Sequence, residues 1–413
     1  MQIVIVASGT RGDVQPAVAL ALALKNAGYK VRLIAGVNFT DWIESFGLEM
    51  YPTLDMEDLM QSEAGIKWVE TRNQFKQLKY MKQLLNDNMH SMNADMLAGT
   101  EDADLIIGGF TSEPFVQAIV EKRGTPAITL ALQPYRATRS GAASLVTFLP
   151  HTNSFINHIG GRIGGYFIWS MASDAVNTMR NTLGLVPHTA RSYQRVFNDI
   201  PALYAFSPHV VPPVNDSNAT TTGYLFLEEA DYTPPQDLTD FLNAGDKPLY
   251  IGFGSMSSSD PQRTMNRVVE ALTENNLRGV LAKGWSGVRA DNLPDHVFML
   301  DSVPHTWLFP QMCAVVHHGG AGTTAAGLRA GIPTMIIPHM ADQPYWARRV
   351  HHLGVGVKPL ERAQLSVEAL SKRFQQLTSD TTIQNNAIEL GEKIRAEDGT
   401  QNAVNYINTF MNA

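Results

Sequence analysis

Residues 314–337 read AVVHHGGAGTTAAGLRAGIPTMII, and this stretch decides the fold. Ala314–His317 is an apolar run too short for a helix, so it reads as a buried strand. Gly319, Gly320 and Gly322 then let the backbone turn and approach a neighbour closely. A helix begins near Thr323 and stops at Gly331, and Thr334–Ile337 returns as a strand. A strand–turn–helix of this kind aims free N–H groups and the positive end of a helix dipole at whatever occupies the turn. A diphosphate suits such a site, with His318 as a side-chain donor and Thr323 as a hydroxyl. The plainer alternative is a tight turn with buried histidines, but three glycines with His and Thr serve no common packing purpose.

Outward from this unit the alternation continues. Leu249–Phe253, Val280–Ala282 and Val297–Leu300 are further short strands, with a helix from Asp260–Pro261 to about Glu274 after the turn GFGSM. Just beyond Ile337, Pro338–Arg348 (PHMADQPYWAR) brings Asp342 and Gln343 to the end of a strand. An adjacent carboxylate and amide can hold several sugar hydroxyls, one accepting only and the other donating and accepting. The same pair before Pro344 also reads as a helix cap.

The N-terminal half repeats the pattern. Ile3–Ala7 is a strand, SGTRGD a turn, and a helix runs from about Val14 to Ala27 with Pro16 in its first turn. Val31–Ala35, Leu105–Ile107 and Ala127–Leu130 follow as strands. Asp13 lies where the turn enters the helix, as a cap, as a general base for a hydroxyl, or as both. The turn is not a GxGxxG, so a nicotinamide or flavin gains no support. A long helical stretch from about Glu63 to Leu97 interrupts the alternation, with Phe75, Leu78, Met81, Leu85, Met89 and Met92 on one face. A Gly- and aromatic-rich segment, Phe155–Met171, is a second interruption. Prolines 208, 212, 213, 234 and 235 around the polar run Asn215–Thr222 mark a boundary.

Strands alternating with helices in both halves predict an α/β protein of two doubly wound, Rossmann-like domains. In such sheets ligands sit at the carboxyl ends of the strands, so two facing sheets would hold theirs in an interdomain cleft. The expected division is 1–215, 216–395, and 396–413 as a final helix.

Composition narrows the class. The 413 residues are 44% apolar and 17% charged, with a net charge of −7, which excludes a disordered chain and gives no electrostatic footprint for nucleic acid. The single cysteine, Cys313, excludes an internal disulfide framework and a thiolate zinc site. The opening MQIVIVASGTRGD has no signal-peptide pattern and no apolar run reaches membrane-spanning length, so the expectation is a cytoplasmic protein. Asn38, Asn215 and Asn218 fall in N-x-S/T triplets, which carry weight only behind a secretory signal.

Five segments together resemble the sterol glucosyltransferase branch of the UDP-glycosyltransferases, a GT-B fold family, and are similar to the glycopeptide-antibiotic glycosyltransferases. They are GTRGDVQP (Gly9–Pro16), YIGFGSM (Tyr250–Met256), SVPHTWLFPQ (Ser302–Gln311), HHGGAGTT (His317–Thr324) and ADQ (Ala341–Gln343). The resemblance implies an inverting, metal-independent transfer of a hexose from a UDP-sugar co-substrate, without a cofactor. Asp13 would be the base. His318 with Ala321, Gly322 and Thr323 would hold the diphosphate, and Ser255 would line the donor site. Thr10 and Arg11 would approach the donor from the other domain. Val303 and His305 would contact the nucleoside, and Asp342 and Gln343 the sugar. Two positions depart from plant relatives: Ser302 stands where they carry a Trp that stacks on uracil, and Ala326 where they carry a Glu for the ribose. UDP and dTDP therefore both remain open. Plant relatives use a histidine base in the first turn; here no histidine precedes His90, which favours Asp13.

The acceptor is expected to be small and lipophilic, such as a sterol, bound by the N-terminal half; a polyketide, glycopeptide or flavonoid aglycone is the alternative. A nucleotide-sugar epimerase is a more distant one. Lys67, Arg72, Lys76, Lys79 and Lys82 read either as a solvated helix face or as a peripheral contact with anionic lipid.

Overall fold

The computed structural model describes residues 1–71, 73–141, 143–146, 154–216, 218–228, 232–253, 261–283, 293–301 and 303–412. The chain forms two compact units, Met1–Leu227 with Asp398–Ala413, and Glu228–Glu397.

The first unit runs β1 (Gln2–Val6), α1 (Arg11–Asn26), β2 (Lys30–Gly36), α2 (Thr40–Ser45), β3 (Glu49–Thr53), α3 (Met56–Gln61), α4 (Glu63–Glu70) and α5 (Gln74–Gly99). It continues β4 (Leu105–Gly109), α6 (Glu113–Arg123), β5 (Ala127–Ala131), α7 (Ser154–Thr182), α8 (Ala190–Val196), β6 (Ala202–Tyr204) and β7 (Ala219–Thr221). Among the described residues its sheet has seven strands in the order β3-β2-β1-β4-β5-β6-β7, and every pairing is parallel. Helices cover both faces, which is why Ile3, Val4, Ile5 and Val6 are all buried rather than alternately so.

The second unit runs α9 (Gln236–Asn243), β8 (Leu249–Gly252), α10 (Pro261–Glu274), β9 (Gly279–Ala282), β10 (Val297–Leu300), α11 (His305–Leu308), β11 (Ala314–His317), α12 (Ala321–Ala330), β12 (Thr334–Ile336), α13 (Gln343–His352), α14 (Val367–Ser379) and α15 (Thr381–Arg395). Its strands, also parallel, lie in the order β10-β9-β8-β11-β12. Both sheets therefore reverse direction of winding once, between β1 and β4 and between β8 and β11. That reversal opens a crevice at the carboxyl ends of the strands. The turns after β1 and β11 are the two glycine turns singled out in the sequence.

The last helix, α16 (Gly399–Met411), belongs to the first unit and packs on α1. Ala403, Val404 and Ile407 enter the core of that unit, and Asn402 Nδ2 donates to the Thr222 carbonyl at 2.9 Å. A Cβ at Gly399 would lie 2.3 Å from the Tyr224 carbonyl oxygen, so only glycine lets the helix start so close to the chain that follows β7.

Some boundaries differ from the sequence reading for physical reasons. Helix α1 begins at Arg11, because Thr10 and Asp13 cap it, so Pro16 lies one turn deeper than expected. Having no N–H, Pro16 leaves the Gly12 carbonyl without its helical partner. The 63–97 stretch is broken at Thr71 into α4 and α5. Strand β7 pairs with β6 beyond residue 215, extending the first sheet past the expected division.

Candidate active site

In the first unit the site grows from the turn between β1 and α1. Gly9 has φ +149°, and a Cβ there would sit 2.2 Å from Asp13 Oδ2 and 2.6 Å from Asp13 Cγ. Glycine at this position is what lets the Asp13 carboxylate fold back over the turn. There its Oδ2 accepts the Thr10 N–H at 3.0 Å and lies 3.4 Å from the Thr10 hydroxyl. This is the carboxylate half of a capping box. Asp13 is half-buried, and loss of solvent raises its pKa from 3.8 to about 6 against the lowering effect of the Thr10 bonds. Such a carboxylate is ionised at neutral pH yet basic enough to take a proton from a hydroxyl. Capping and proton acceptance coexist on one side chain. Arg11, exposed at the helix start, lays its guanidinium 4.3 Å from the centre of the Trp42 ring.

In the second unit the site grows from the turn between β11 and α12. His317 is fully buried, and its Nδ1 accepts the Gly319 N–H at 3.0 Å. That bond requires a neutral ring, and burial drives the pKa of His317 well below the usual imidazole value. Gly319 has φ +99°, where a Cβ would lie 2.7 Å from Ile336 Cγ2. His318 then turns back over the start of α12: a Cβ on Gly320 would come within 2.7 Å of His318 Nε2. Burial lowers the His318 pKa to about 4, so the ring offers a neutral N–H rather than a cation. Helix α12 starts at Ala321, two residues earlier than expected, with Gly320 as N-cap. The first helical bond is made by Thr324 N to the Gly320 carbonyl. The N–H groups of Ala321, Gly322 and Thr323 thus belong to the open first turn.

Asp342 and Gln343 follow β12 at a turn where Ala341 takes the unusual φ of +51°. Gln343 is buried; its Oε1 accepts the N–H groups of His339 and Met340 at 2.7 and 3.0 Å. Its amide nitrogen is left as the donor of that side chain. Asp342 Oδ2 accepts the Trp346 indole N–H at 2.7 Å. Each residue therefore holds the turn with one oxygen. His305, at the start of α11, stacks on Phe309 with ring centres 4.3 Å apart, and Val303 packs on the same cluster. Ser255 lies outside the described residues. So the second unit brings Val303, His305, His318, Ala321, Gly322, Thr323, Asp342 and Gln343 to the strand ends of its sheet, and the first unit brings Thr10, Arg11 and Asp13.

Two residues escaped the sequence reading. His339 stands next to the Asp342–Gln343 turn, its ring edge-on to Phe253 at 6.0 Å, with a buried Nδ1 that has no protein partner. Burial pushes its pKa down to about 3. Glu113, at the head of α6 after β4, is buried with Tyr135 and Arg136; its Oε2 accepts the Thr129 hydroxyl at 3.0 Å. The signal was there, since FTSEP after a strand repeats the strand-end acid of SGTRGD. Among the described residues no group of His, Cys, Asp and Glu is arranged to hold a metal ion.

Two sheets with this winding and glycine turns at both reversals define a GT-B glycosyltransferase fold. Solved structures agree in fold: the glycosyltransferase of kitacinnamycin matches with a TM-score of 0.74 at 18% identity over 99% of this chain and 98% of that one. The calicheamicin glycosyltransferase CalG4 matches at 0.71 and 16%, covering 99% of this chain and 98% of that one. Residues 3–138 match the glycosyltransferase family 28 N-terminal domain, and residues 269–409 the erythromycin biosynthesis protein CIII-like C-terminal domain. A sterol 3-beta-glucosyltransferase of Arabidopsis thaliana is 36% identical over 98% of this chain and 64% of its own length. A second from the same plant is 33% identical over 98% of this chain and 67% of its own. One from Pichia angusta is 34% identical over 98% of this chain but only 33% of its own, so the chain spans from a third to two thirds of these relatives. The chain belongs to the family of the sterol 3-beta-glucosyltransferases, within the UDP-glycosyltransferases.

Proposed function

We propose that the protein transfers glucose from UDP-glucose to the hydroxyl of a sterol or similarly lipophilic alcohol, with inversion and without a metal ion. The observation that carries this reading is Asp13: a carboxylate at the end of β1, desolvated to a pKa of about 6 and fixed by the Thr10 N–H. In the proposed step the acceptor hydroxyl gives its proton to Asp13 as its oxygen attacks the anomeric carbon. The C–O bond to the diphosphate breaks, and the electron pair leaves with UDP. The N–H groups of Ala321, Gly322 and Thr323 and the His318 N–H stabilise the charge gathering on the diphosphate. Because His318 is neutral, it does so as a hydrogen-bond donor and not as a counter-ion. Asp342 and the Gln343 amide take the sugar hydroxyls, and Val303 and His305 the nucleoside, with Ser255, Thr10 and Arg11 completing the donor contacts. The closeness to sterol 3-beta-glucosyltransferases over 98% of the chain supports the acceptor class.

A dTDP-sugar with a polyketide aglycone is the second reading, favoured by Ala326, an apolar side chain within the Tyr250–Phe309 cluster where plant relatives place a ribose-binding Glu. Transfer assays with UDP-glucose and dTDP-glucose against a panel of sterols and polyketides test both. Product only with dTDP-glucose would overturn the first reading.

A further inference from the structure

A cation opens helix α1, at the end where a helix favours anions. Arg11 is the first helical residue, exposed at the positive end of the macrodipole, where a positive side chain is disfavoured. Gly12, which follows it, is a poor helix former. Among the described residues a Cβ there would meet only the Thr10 hydroxyl oxygen, at 3.8 Å, so packing does not call for glycine. Neither residue serves the helix. A charge the helix does not favour, beside a backbone left bare, suits a negatively charged ligand drawn close to the turn.

The hold on the Arg11 side chain comes from the neighbouring strand. Trp42 lies on α2, in the chain that follows β2, the strand paired with β1. The Arg11 guanidinium sits over its ring, 4.3 Å from the centre, well inside the range over which an indole face attracts a cation. The ring is itself fixed: Phe39 and Phe46 stand edge-on to it, with centres 6.1 and 5.7 Å away. Trp42 also packs against the core of the first unit. One turn along α1, Gln15 Oε1 accepts the Arg11 Nε–H at 3.4 Å. A guanidinium laid on an indole keeps its N–H groups in its own plane, where two of them can meet two phosphate oxygens at once. A side chain already held in this way gives up less rotamer freedom when the anion binds.

We propose that Trp42 is a positioning residue, its ring holding the Arg11 guanidinium ready for the diphosphate of the donor. This rests on the reading of Arg11 as a donor contact, and calorimetric titration with UDP, which needs no turnover, separates the two. Arg11→Gln should weaken UDP roughly tenfold or more. Trp42→Leu keeps an apolar side chain against Phe39 and Phe46 but has no ring face, and should weaken UDP about two- to fivefold. Trp42→Phe, which restores a face, should recover most of that loss. In the Arg11→Gln background Trp42→Leu should change nothing further, a coupling that a loosened fold would not produce. In turnover, Trp42→Leu should raise the donor KM and leave the acceptor KM as it is. A Trp42→Leu protein that binds UDP like wild type, or weakens it equally with and without Arg11, overturns the proposal and leaves the reading of Arg11 standing. Wild-type affinity in Arg11→Gln would overturn that reading, and the positioning role with it.

Discussion

Replacing Asp13 by Asn separates a base from a cap through the sign of one number. Burial raises the folded-state pKa of Asp13 from 3.8 to about 6. The folded chain therefore holds this proton more tightly than the unfolded chain does. That stabilisation is complete below the unfolded value and is lost as pH climbs through the folded one. A shift of roughly two units corresponds to about 3 kcal/mol of penalty for the ionised folded protein above pH 6. Asparagine keeps an oxygen for the Thr10 N–H and carries no charge, so the cap survives while the penalty goes. Asp13→Asn is thus expected to be about 2–3 kcal/mol more stable than wild type near pH 8, with the gain vanishing near pH 4. Activity should disappear with it. Urea unfolding of both proteins across this range, with initial transfer rates on the same samples, measures both. A variant less stable than wild type near pH 8 would refute the reasoning, because the carboxylate would then serve the fold alone.

Four further outcomes follow from the same geometry. In wild type, log kcat/KM should fall with unit slope as pH drops below about 6, and a profile flat through this range would contradict an Asp13 base. Gly320→Ala places a Cβ 2.7 Å from His318 Nε2; donor KM should rise and kcat fall together, with little change in urea midpoint. His317→Ala leaves the buried Gly319 N–H without its acceptor, and should cost about 1–3 kcal/mol in urea unfolding. Gly399→Val drives a side chain into the Tyr224 carbonyl, and should cost about 1–3 kcal/mol; limited proteolysis would then release α16 first.

The parallel strands were legible because both faces are covered and the runs are apolar throughout, as in Ile3–Val6 and Ala314–His317. Strand β3, with Glu49 and Pro52, was not: it lies at the sheet edge, where apolar runs are not needed and proline is tolerated. Strands β6 and β7 span three residues each and leave no periodicity to read. The two turns were legible from glycine spacing, but strand order was not, and strand order is what puts both turns at reversals of winding. The neutrality of His317, His318 and His339 was hidden as well, since it comes from burial beneath groups distant in sequence. So too were the internal duties of Asp342 and Gln343, which depend on where Trp346 and the 339–340 backbone fold. The close packing of α7 at Gly161 and Gly165 is against Ala137 and Gln194, which no local pattern connects to those glycines.

The most direct test is to incubate the purified chain with UDP-glucose and a sterol, determine the anomeric configuration of the product, and repeat with Asp13→Asn. A β-glucoside from the α-linked donor, absent with the variant, is the expected result. Donor turned over without any acceptor, and equally by both proteins, would contradict the Asp13 mechanism and put a nucleotide-sugar epimerase in its place.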